Sequence, residues 1–364
     1  MVSGLDGDRY VKSFTTRNQL AVLLYAQASG KSSLREIEVG LQVQSSRLYH
    51  VGLTKPVTRS TLADANAKRS YQIYEKLFYT LLERCRRYSP PKKSFRFANP
   101  LYSLDATMID LCLESFPWAR YKARKGALRM HCMLDHAGEI PAFVFMTDGK
   151  TQEITTARAH LPIIPDSIYC FDKAYTDYAW FQRITDEGAF FVTRAKDNMN
   201  GQFLGQQEDS KNKDIVFDQI IELAPPQHYS GKLRRIGLFD AETGVQLEFL
   251  TNNFTLAAST IARIYKSRWQ IEVFFKWIKQ NLKIKSFLGT SKNAVMTQVW
   301  VAMCYYLLLS YVKFQANYSR SLTYLHDIVR EALMMPGTLF DLLKMNAARV
   351  AALKRQDLQL RLQV

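Results

Sequence analysis

The stretch Tyr265-Lys-Ser-Arg-Trp-Gln-Ile-Glu-Val-Phe-Phe-Lys-Trp-Ile-Lys279, continued by Gln280-Asn-Leu-Lys-Ile-Lys285, decides how this chain is read. On a helix of 3.6 residues per turn, Tyr265, Arg268, Glu272, Lys276, Lys279 and Lys283 fall on one narrow face, because their steps are three or four. Ile264, Ile271, Phe275, Ile278 and Leu282 form a second stripe roughly 100° away, which is the side expected to face a core. Between Arg263 and Lys285 stand seven basic residues and one acid, Glu272. A solvated helix explains this pattern if Glu272 pairs with Arg268 and Lys276 at i−4 and i+4. A carboxylate that ligates a metal while its cationic neighbours grip phosphates explains it as well.

The rest of the chain narrows the choice. Its 364 residues are 47% hydrophobic, enough for a substantial core, and its 49 Lys and Arg against 33 Asp and Glu leave a formal charge of +16. That excess favours a polyanionic partner, nucleic acid first, since each phosphate contact releases counterions. The five cysteines are scattered, with no close pair of zinc-ligand spacing, and are expected as reduced, cytosolic thiols. The amino terminus carries no readable secretory signal. Residues 299–312 are apolar, but 14 residues fall short of the ~20 a membrane span needs, so a buried core helix is expected.

Three regions are expected. Residues 1–94 read as helical: Gln19-Leu-Ala-Val-Leu-Leu-Tyr25 is an apolar run, Ser33 and Glu36 have capping-box spacing, and a long helix is predicted from Ser60 toward Arg87. The linker Tyr88-Ser-Pro-Pro-Lys-Lys-Ser94 ends this region, because paired prolines oppose helix. Residues 95–290 begin with short apolar runs at LYSLDATMIDLCL, ALRMHCMLDH and IPAFVFMTD, expected as an antiparallel trio. A helix near Thr151 to His160, a strand at Ser167 to Asp172, a helix near Tyr175 to Glu187 and a strand from Ala189 then mark an α/β layer. Within this region, residues about 200–252 read as a β-rich insertion, with strands at VFDQIIEL, KLRRIGLF and VQLEFLTN. Helical pattern returns from Leu256 and persists through the C-terminal region, residues 291–364, with Gly289 and Pro336 as breaks.

The spacing Tyr265, two residues, Arg268, three residues, Glu272, six residues, Lys279 resembles the Tyr-Arg-Glu-Lys motif of bacterial insertion-sequence transposases with an Asp-Asp-Glu (DDE) catalytic domain. Residues 103–135, the segment FFVTRAKDN at 190–198, and residues 250–291 are similar to that family too. The resemblance implies a ribonuclease-H-like α/β core with a β-rich insertion, flanked by an N-terminal helical, DNA-binding domain and C-terminal helices. Asp105 in SLDAT and Asp172 in YCFDKAY take the two aspartate places and Glu272 the glutamate place. As strand-end residues, either aspartate could instead accept loop N–H groups. Asp110, on what reads as the following strand MIDLCL, is the rival for the first place.

The implied activity is metal-dependent cleavage at element ends followed by strand transfer, cut-and-paste transposition, with Asp105, Asp172 and Glu272 as catalytic residues and ligands of two Mg²⁺ or Mn²⁺ ions. Two such ions about 4 Å apart suit an in-line phosphoryl displacement, and oxygen is the ligand they prefer. No organic cofactor is implied. Tyr265, Arg268, Trp269, Lys276, Lys279 and Lys283 are the expected DNA-binding residues. Trp269 either stacks on an extruded base or is an ordinary helix aromatic, buried or half-exposed. Arg84, Arg86, Arg87, Lys92, Lys93 and Arg96, with Arg120, Lys122, Arg124, Lys125 and Arg129, either extend the phosphate footprint or are solvated charges. His131, His136 and His160 read as structural or surface residues.

The expected partners are double-stranded terminal inverted repeats, target DNA and a second copy of the chain on that DNA. No membrane is expected, and the location implied is the bacterial cytoplasm, associated with the nucleoid. Two departures from the family stand out: an amino terminus that reads as shortened, and Lys173-Ala174 after the second aspartate where the family often has Arg-Gly. A metal-dependent nuclease that does not join strands, and an inactive DNA-binding remnant of a mobile element, are the alternative readings.

Overall fold

A computed structural model describes residues 2–89, 95–122, 125–207, 212–225, 228–334 and 343. It divides into two compact units, Met1–Ser89 with Trp277–Val364, and Pro90–Lys276.

The first unit opens with α1 (Thr16–Ala28), α2 (Leu34–Val43), α3 (Arg59–Lys68) and α4 (Gln72–Tyr88). Thr15, Ser33 and Thr58 cap the helices that follow, each accepting from the N–H three residues on and so pairing a donor the first turn leaves open. Glu36 does not close a reciprocal box with Ser33; its carboxylate accepts from the backbone N–H and hydroxyl of Ser32. The long helix expected from Ser60 is two helices. Arg69 is extended at the break, its guanidinium donating to Phe14 O and Gln19 Oε1. Asn293 donates to the carbonyls of Asn66 and Arg69 and accepts from Tyr71 N–H. Tertiary hydrogen bonds override the local helical preference there.

The second unit is a sheet with helices on both faces. In order it holds β1 (Leu101–Leu111), β2 (Arg120–Lys122), β3 (Lys125–Asp135), β4 (Ile140–Asp148), α5 (Glu153–His160), β5 (Ile168–Cys170), α6 (Tyr178–Asp186), β6 (Phe190–Arg194), β7 (Gly201–Gln206), β8 (Ile215–Leu223), β9 (Lys232–Asp240), β10 (Val245–Thr251), α7 (Ala258–Ser267) and the start of α8 (Trp269–Asn281). The strand order is β2-β3-β1-β5-β6-β10-β9-β8-β7, with β4 also on β3. β1, β3 and β4 are the antiparallel trio; β5 runs parallel to both β1 and β6. The insertion is an antiparallel meander that continues the same sheet outward from β6. Its strand β7 was not foreseen, because Gly-Gln-Phe-Leu-Gly-Gln carries no alternating apolar pattern. β1 is one strand rather than two, so Asp110 lies five residues from Asp105 on the opposite face, and it is exposed.

Alternation along the strands separates two cores. Tyr102, Leu104, Tyr169, Phe171 and Phe191 face Ala157 and Leu161 of the α5 region and Trp180, Phe181 and Ile184 of α6. Leu101, Ile168, Cys170, Val192 and Phe249 face Ala258, Ile261 and Ile264 of α7. The turn into α7 is tied to the insertion by a buried pair: Arg234 on β9 forks onto both oxygens of Asp218 on β8 at 2.8 and 2.6 Å, and its other nitrogen donates to the carbonyls of Asn253 and Leu256. The Asn253 side chain closes that turn by accepting from the N–H groups of Thr255 and Leu256.

The chain then returns to the first unit with α9 (Lys292–Gln315) and α10 (Leu322–Ala332). Every residue of α9 from Ala294 to Leu307 is buried, with α1 and α4 against it and the Phe78 and Trp300 rings 5.3 Å apart. α9 has the length and composition of a membrane span, but most of it is enclosed by the protein, the core role expected for residues 299–312. The residues expected as separate amino- and carboxyl-terminal regions thus share one unit. Residues 90–94, with Lys92 and Lys93, Arg124, and residues 335–342 and 344–364, with Pro336, lie outside the described residues.

Candidate active site

The parallel pairing of β1 and β5 runs from Leu101 with Ile168 to Ser103 with Cys170. Asp105, inside β1, and Asp172, just past the end of β5, each stand two residues beyond that last pair, so alternation turns both toward the α7 face, on neighbouring strands that pair about 4.8 Å apart. Cys170 confirms the direction: its thiol donates to the Ile264 carbonyl of α7 at 3.6 Å. One oxygen of Asp172 accepts from Ala174 N–H at 2.6 Å and caps the short helical turn at Lys173–Tyr175. The turn-capping role open to Asp172 from sequence is therefore realised, and it leaves the second oxygen available.

Asp105 accepts from the Ala106 N–H at 2.8 Å. Its carboxyl is pushed up to about 6, first by burial and further by the charges of Asp172 and Glu272, against the opposing pull of Ala106 and Arg268. Asp105 thus feels the other two acids of the expected triad.

Glu272 arrives on α8. The continuous helix expected from Tyr265 onward is interrupted at Arg268, where Arg268 N–H bonds Tyr265 O and Ile271 N–H bonds Arg268 O, a locally tightened turn. The Ser267 hydroxyl donates to Ile264 O at 2.7 Å and competes with the regular ladder there. Ile264, Ile271, Phe275, Ile278 and Leu282 are all buried, as the apolar stripe required. Arg268 bridges two of the acids, its Nη1 3.4 Å from Asp105 Oδ2 and its Nη2 2.6 Å from Glu272 Oε1. It also lies over the Tyr265 ring, 5.8 Å from the centroid, and Tyr265 in turn packs on Phe249. Burial works against the guanidinium charge, but Glu272, Tyr265 and Asp105 hold its pKa above the ordinary value.

One acid at the site carried no signal in the sequence. Glu153, the first residue of α5, lines a small pocket of about 20 Å³ together with Asp105 and Tyr175, and its carboxyl is raised by burial, with Asp105 and Asp172 adding to the effect against Arg129. Arg129 on β3 is 3.6 Å from Glu153 and also donates to Gly149 O, so this arginine serves the site's interior rather than a surface footprint. In Gln-Glu-Ile-Thr-Thr-Ala, Glu153 looks like any first-turn acid.

Among the described residues, no three His, Cys, Asp or Glu side chains stand close enough to enclose a metal ion as they are. The donor chemistry nevertheless fits a hard divalent ion: the donors are carboxylate oxygens, and Asp105 and Glu272 share one cation, a guanidinium whose Nε is buried without a partner.

The expected DNA-binding residues fall into two groups. Tyr265 and Arg268 are engaged inside the site, while Trp269 is 63% exposed, with Val273 one turn on and Lys276 also open to solvent. Lys279 and Lys283 lie past the division between the units, Lys279 within α8 and Lys283 beyond its end. The histidines are structural. His131 is 2.9 Å from the Thr147 hydroxyl, His136 is 2.6 Å from the Ser103 hydroxyl, and His160 stacks on Phe145.

Residues 96–308 match the family described as "Transposase DDE domain", which covers more than half of the chain, and residues 1–54 match a domain of unknown function. The chain belongs to the DDE transposase family of bacterial insertion sequences. Its relatives include y4zB of Sinorhizobium fredii (strain NBRC 101917 / NGR234), named as a transposase, 34% identical over 68% of this chain and 69% of that protein. Another, from Geobacillus stearothermophilus, is named as a transposase for insertion sequence element IS5377 and is 28% identical over 85% of this chain and 81% of that protein. Among solved structures, the piggyBac transposase synaptic complex with hairpin DNA aligns with a TM-score of 0.47 at 9% identity, covering 90% of this chain and 75% of that one. The mixed α/β core is the ribonuclease-H-like one expected, and the family's enzymes act on DNA and generally use divalent metal ions.

Proposed function

We propose that this transposase cuts DNA at the ends of its element and joins the freed 3′-hydroxyls to a target, with Asp105, Asp172 and Glu272 as the acids that hold two Mg²⁺ or Mn²⁺ ions. The observation that carries this reading is the convergence of three chain segments: two aspartates, each two residues beyond the last pair of the parallel strands β1 and β5, and a glutamate joined to the first of them through Arg268. Bound divalent ions would neutralise the scissile phosphate, activate the attacking oxygen and stabilise the departing one. The chain's own residues set the stage. Asp105 must give up its proton to act as a ligand, a loss that burial opposes and that Ala106 and Arg268 favour. Asp172 is held in place by the Ala174 N–H, and Glu272 is carried on a helix whose other face is locked in the core.

On the DNA side, Tyr265 and Arg268 act at the reacting phosphate, Trp269 presents an open ring for an unstacked base, and Lys276, Lys279 and Lys283 contact the backbone. The helical segment 1–94 binds the terminal repeats, 95–290 performs the chemistry, 291–364 completes the helical support, and two copies act together on paired ends inside the bacterial cell, at the nucleoid. Purified protein, element-end duplex and Mg²⁺ test this directly. Nicked ends and products in which the 3′-hydroxyl has joined a target are expected. Nicking without joining would favour a nuclease, and binding without nicking an inactive remnant.

A further inference from the structure

We infer that Glu153 is a fourth acid of the catalytic centre, a positioning residue that accepts hydrogen bonds from the hydration water on the Asp105 side of the site. This rests on the divalent-ion reading above.

Three observations carry it. Glu153 on α5 and Asp105 on β1 both line one pocket, and its volume of about 20 Å³ is enough for a water molecule. Glu153 stands at the first position of α5, 25% exposed, on a helix anchored at Thr156 and Ala157, which are themselves buried, so its backbone is fixed beside that pocket. Its cationic neighbour does not claim it fully: Arg129 approaches only to 3.6 Å and spends other donors on Gly149 O and Met108 Sδ. A partly buried carboxylate that is loosely paired and open to a water-sized space has acceptor capacity left over. Hard divalent ions retain several waters, and those waters need acceptors fixed by the protein.

The test uses the full chain without DNA and reads Mn²⁺ affinity by titration calorimetry, with circular dichroism and the ion-free melting temperature as controls of folding. Replacing a group of this kind lowers metal affinity by roughly 10-fold to 100-fold. Glu153→Gln, of the same shape but neutral, is therefore expected to weaken Mn²⁺ binding about 10-fold, and Glu153→Asp to recover part of the loss. Arg129→Gln separates this role from a merely structural one: it is expected to leave affinity unweakened, since it removes a competing cation. Wild-type affinity in Glu153→Gln, or an equal loss in Arg129→Gln, overturns the inference. If Glu153→Gln fails to fold, Glu153→Ala takes its place, and wild-type affinity in that variant overturns the inference equally. Asp105→Asn tells the two levels apart. If it abolishes Mn²⁺ binding while Glu153→Gln does not weaken it, only the role of Glu153 falls; if Asp105→Asn binds Mn²⁺ normally, the ion site itself is wrong and this inference falls with it.

Discussion

Ser103 is the last residue of β1 to pair with β5, and its partner Cys170 is the last of β5, so the two acids that follow at the same offset emerge side by side. Asp105→Asn, Asp172→Asn and Glu272→Gln each keep the side-chain shape and remove a ligand charge. Each is expected to lower strand cleavage by a factor on the order of 10³, corresponding to several kcal/mol of lost phosphate stabilisation. DNA retention in gel-shift assays should be nearly unchanged. Any one of them nicking at the wild-type rate would remove that residue from the centre.

Arg268→Met deletes the cation shared by Asp105 and Glu272. Without divalent ions at pH 7, the variant should lose about 1.5–3 kcal/mol of stability, the range for hydrogen bonds to charged groups. Added Mg²⁺ should then raise its melting temperature by more than it raises that of the wild type, because the ion replaces the missing positive charge. Equal increments in the two proteins would show that Arg268 does not occupy the ion's territory.

His136 is buried against Ser103, and burial, opposed by Glu139, depresses its pKa from 6.5 to about 4. The folded chain therefore takes up this proton less readily than the unfolded one. Its contribution to stability is full above pH 6.5 and is lost as pH falls toward 4, by up to about 3 kcal/mol. His136→Gln can keep the contact to Ser103 and cannot titrate. Urea midpoints at pH 7, 6 and 5 should fall less steeply in the variant, and parallel slopes would exclude His136 as a source of acid sensitivity.

Arg234 and Asp218 are about 1% and 2% exposed, and Asp218→Asn leaves the guanidinium without its counter-charge. Breaking a buried pair from one side costs about 3–5 kcal/mol. Because Arg234 also holds the turn that launches α7, the variant should lose Mg²⁺-dependent cleavage at temperatures where its circular dichroism is still native. Full activity up to the melting point would mean that this turn does not position Glu272.

Lys276 is exposed one turn after Glu272. If it contacts a phosphate, Lys276→Ala should weaken DNA binding and flatten the plot of log affinity against log salt by about 0.9. A slope equal to that of the wild type would place Lys276 outside the contact.

Much of this site was legible in the chain. The steps of three and four from Tyr265 to Lys279 and the apolar stripe beside them are local properties of a helix, and every member of the stripe is buried. The two aspartates were singled out by motif as strand-end residues, but Asp105 lies inside β1, because what read as two strands is one. What sequence could not supply was non-local. The gap at Arg69 is made by Asn293, more than 200 residues away, and Glu153 matters only because a pocket opens beside it. The pairing of Arg268 with Glu272 at i+4 was one of the readings open from the sequence and is present, but its second partner, Asp105, lies 163 residues away and could not be read. Spacing along a helix says which way a side chain points but not what another segment has already placed there.

The three acids of the proposed centre are dispersed in order of synthesis. Asp105 leaves the ribosome 167 residues ahead of Glu272, an interval of roughly 8 to 33 s at bacterial elongation rates of about 5–20 residues per second. For the last 100 of those residues the nascent chain carries both aspartates but no helix to complete the set. On the proposed reading, a message terminated before Glu272 therefore yields fragments that lack the full set of acids.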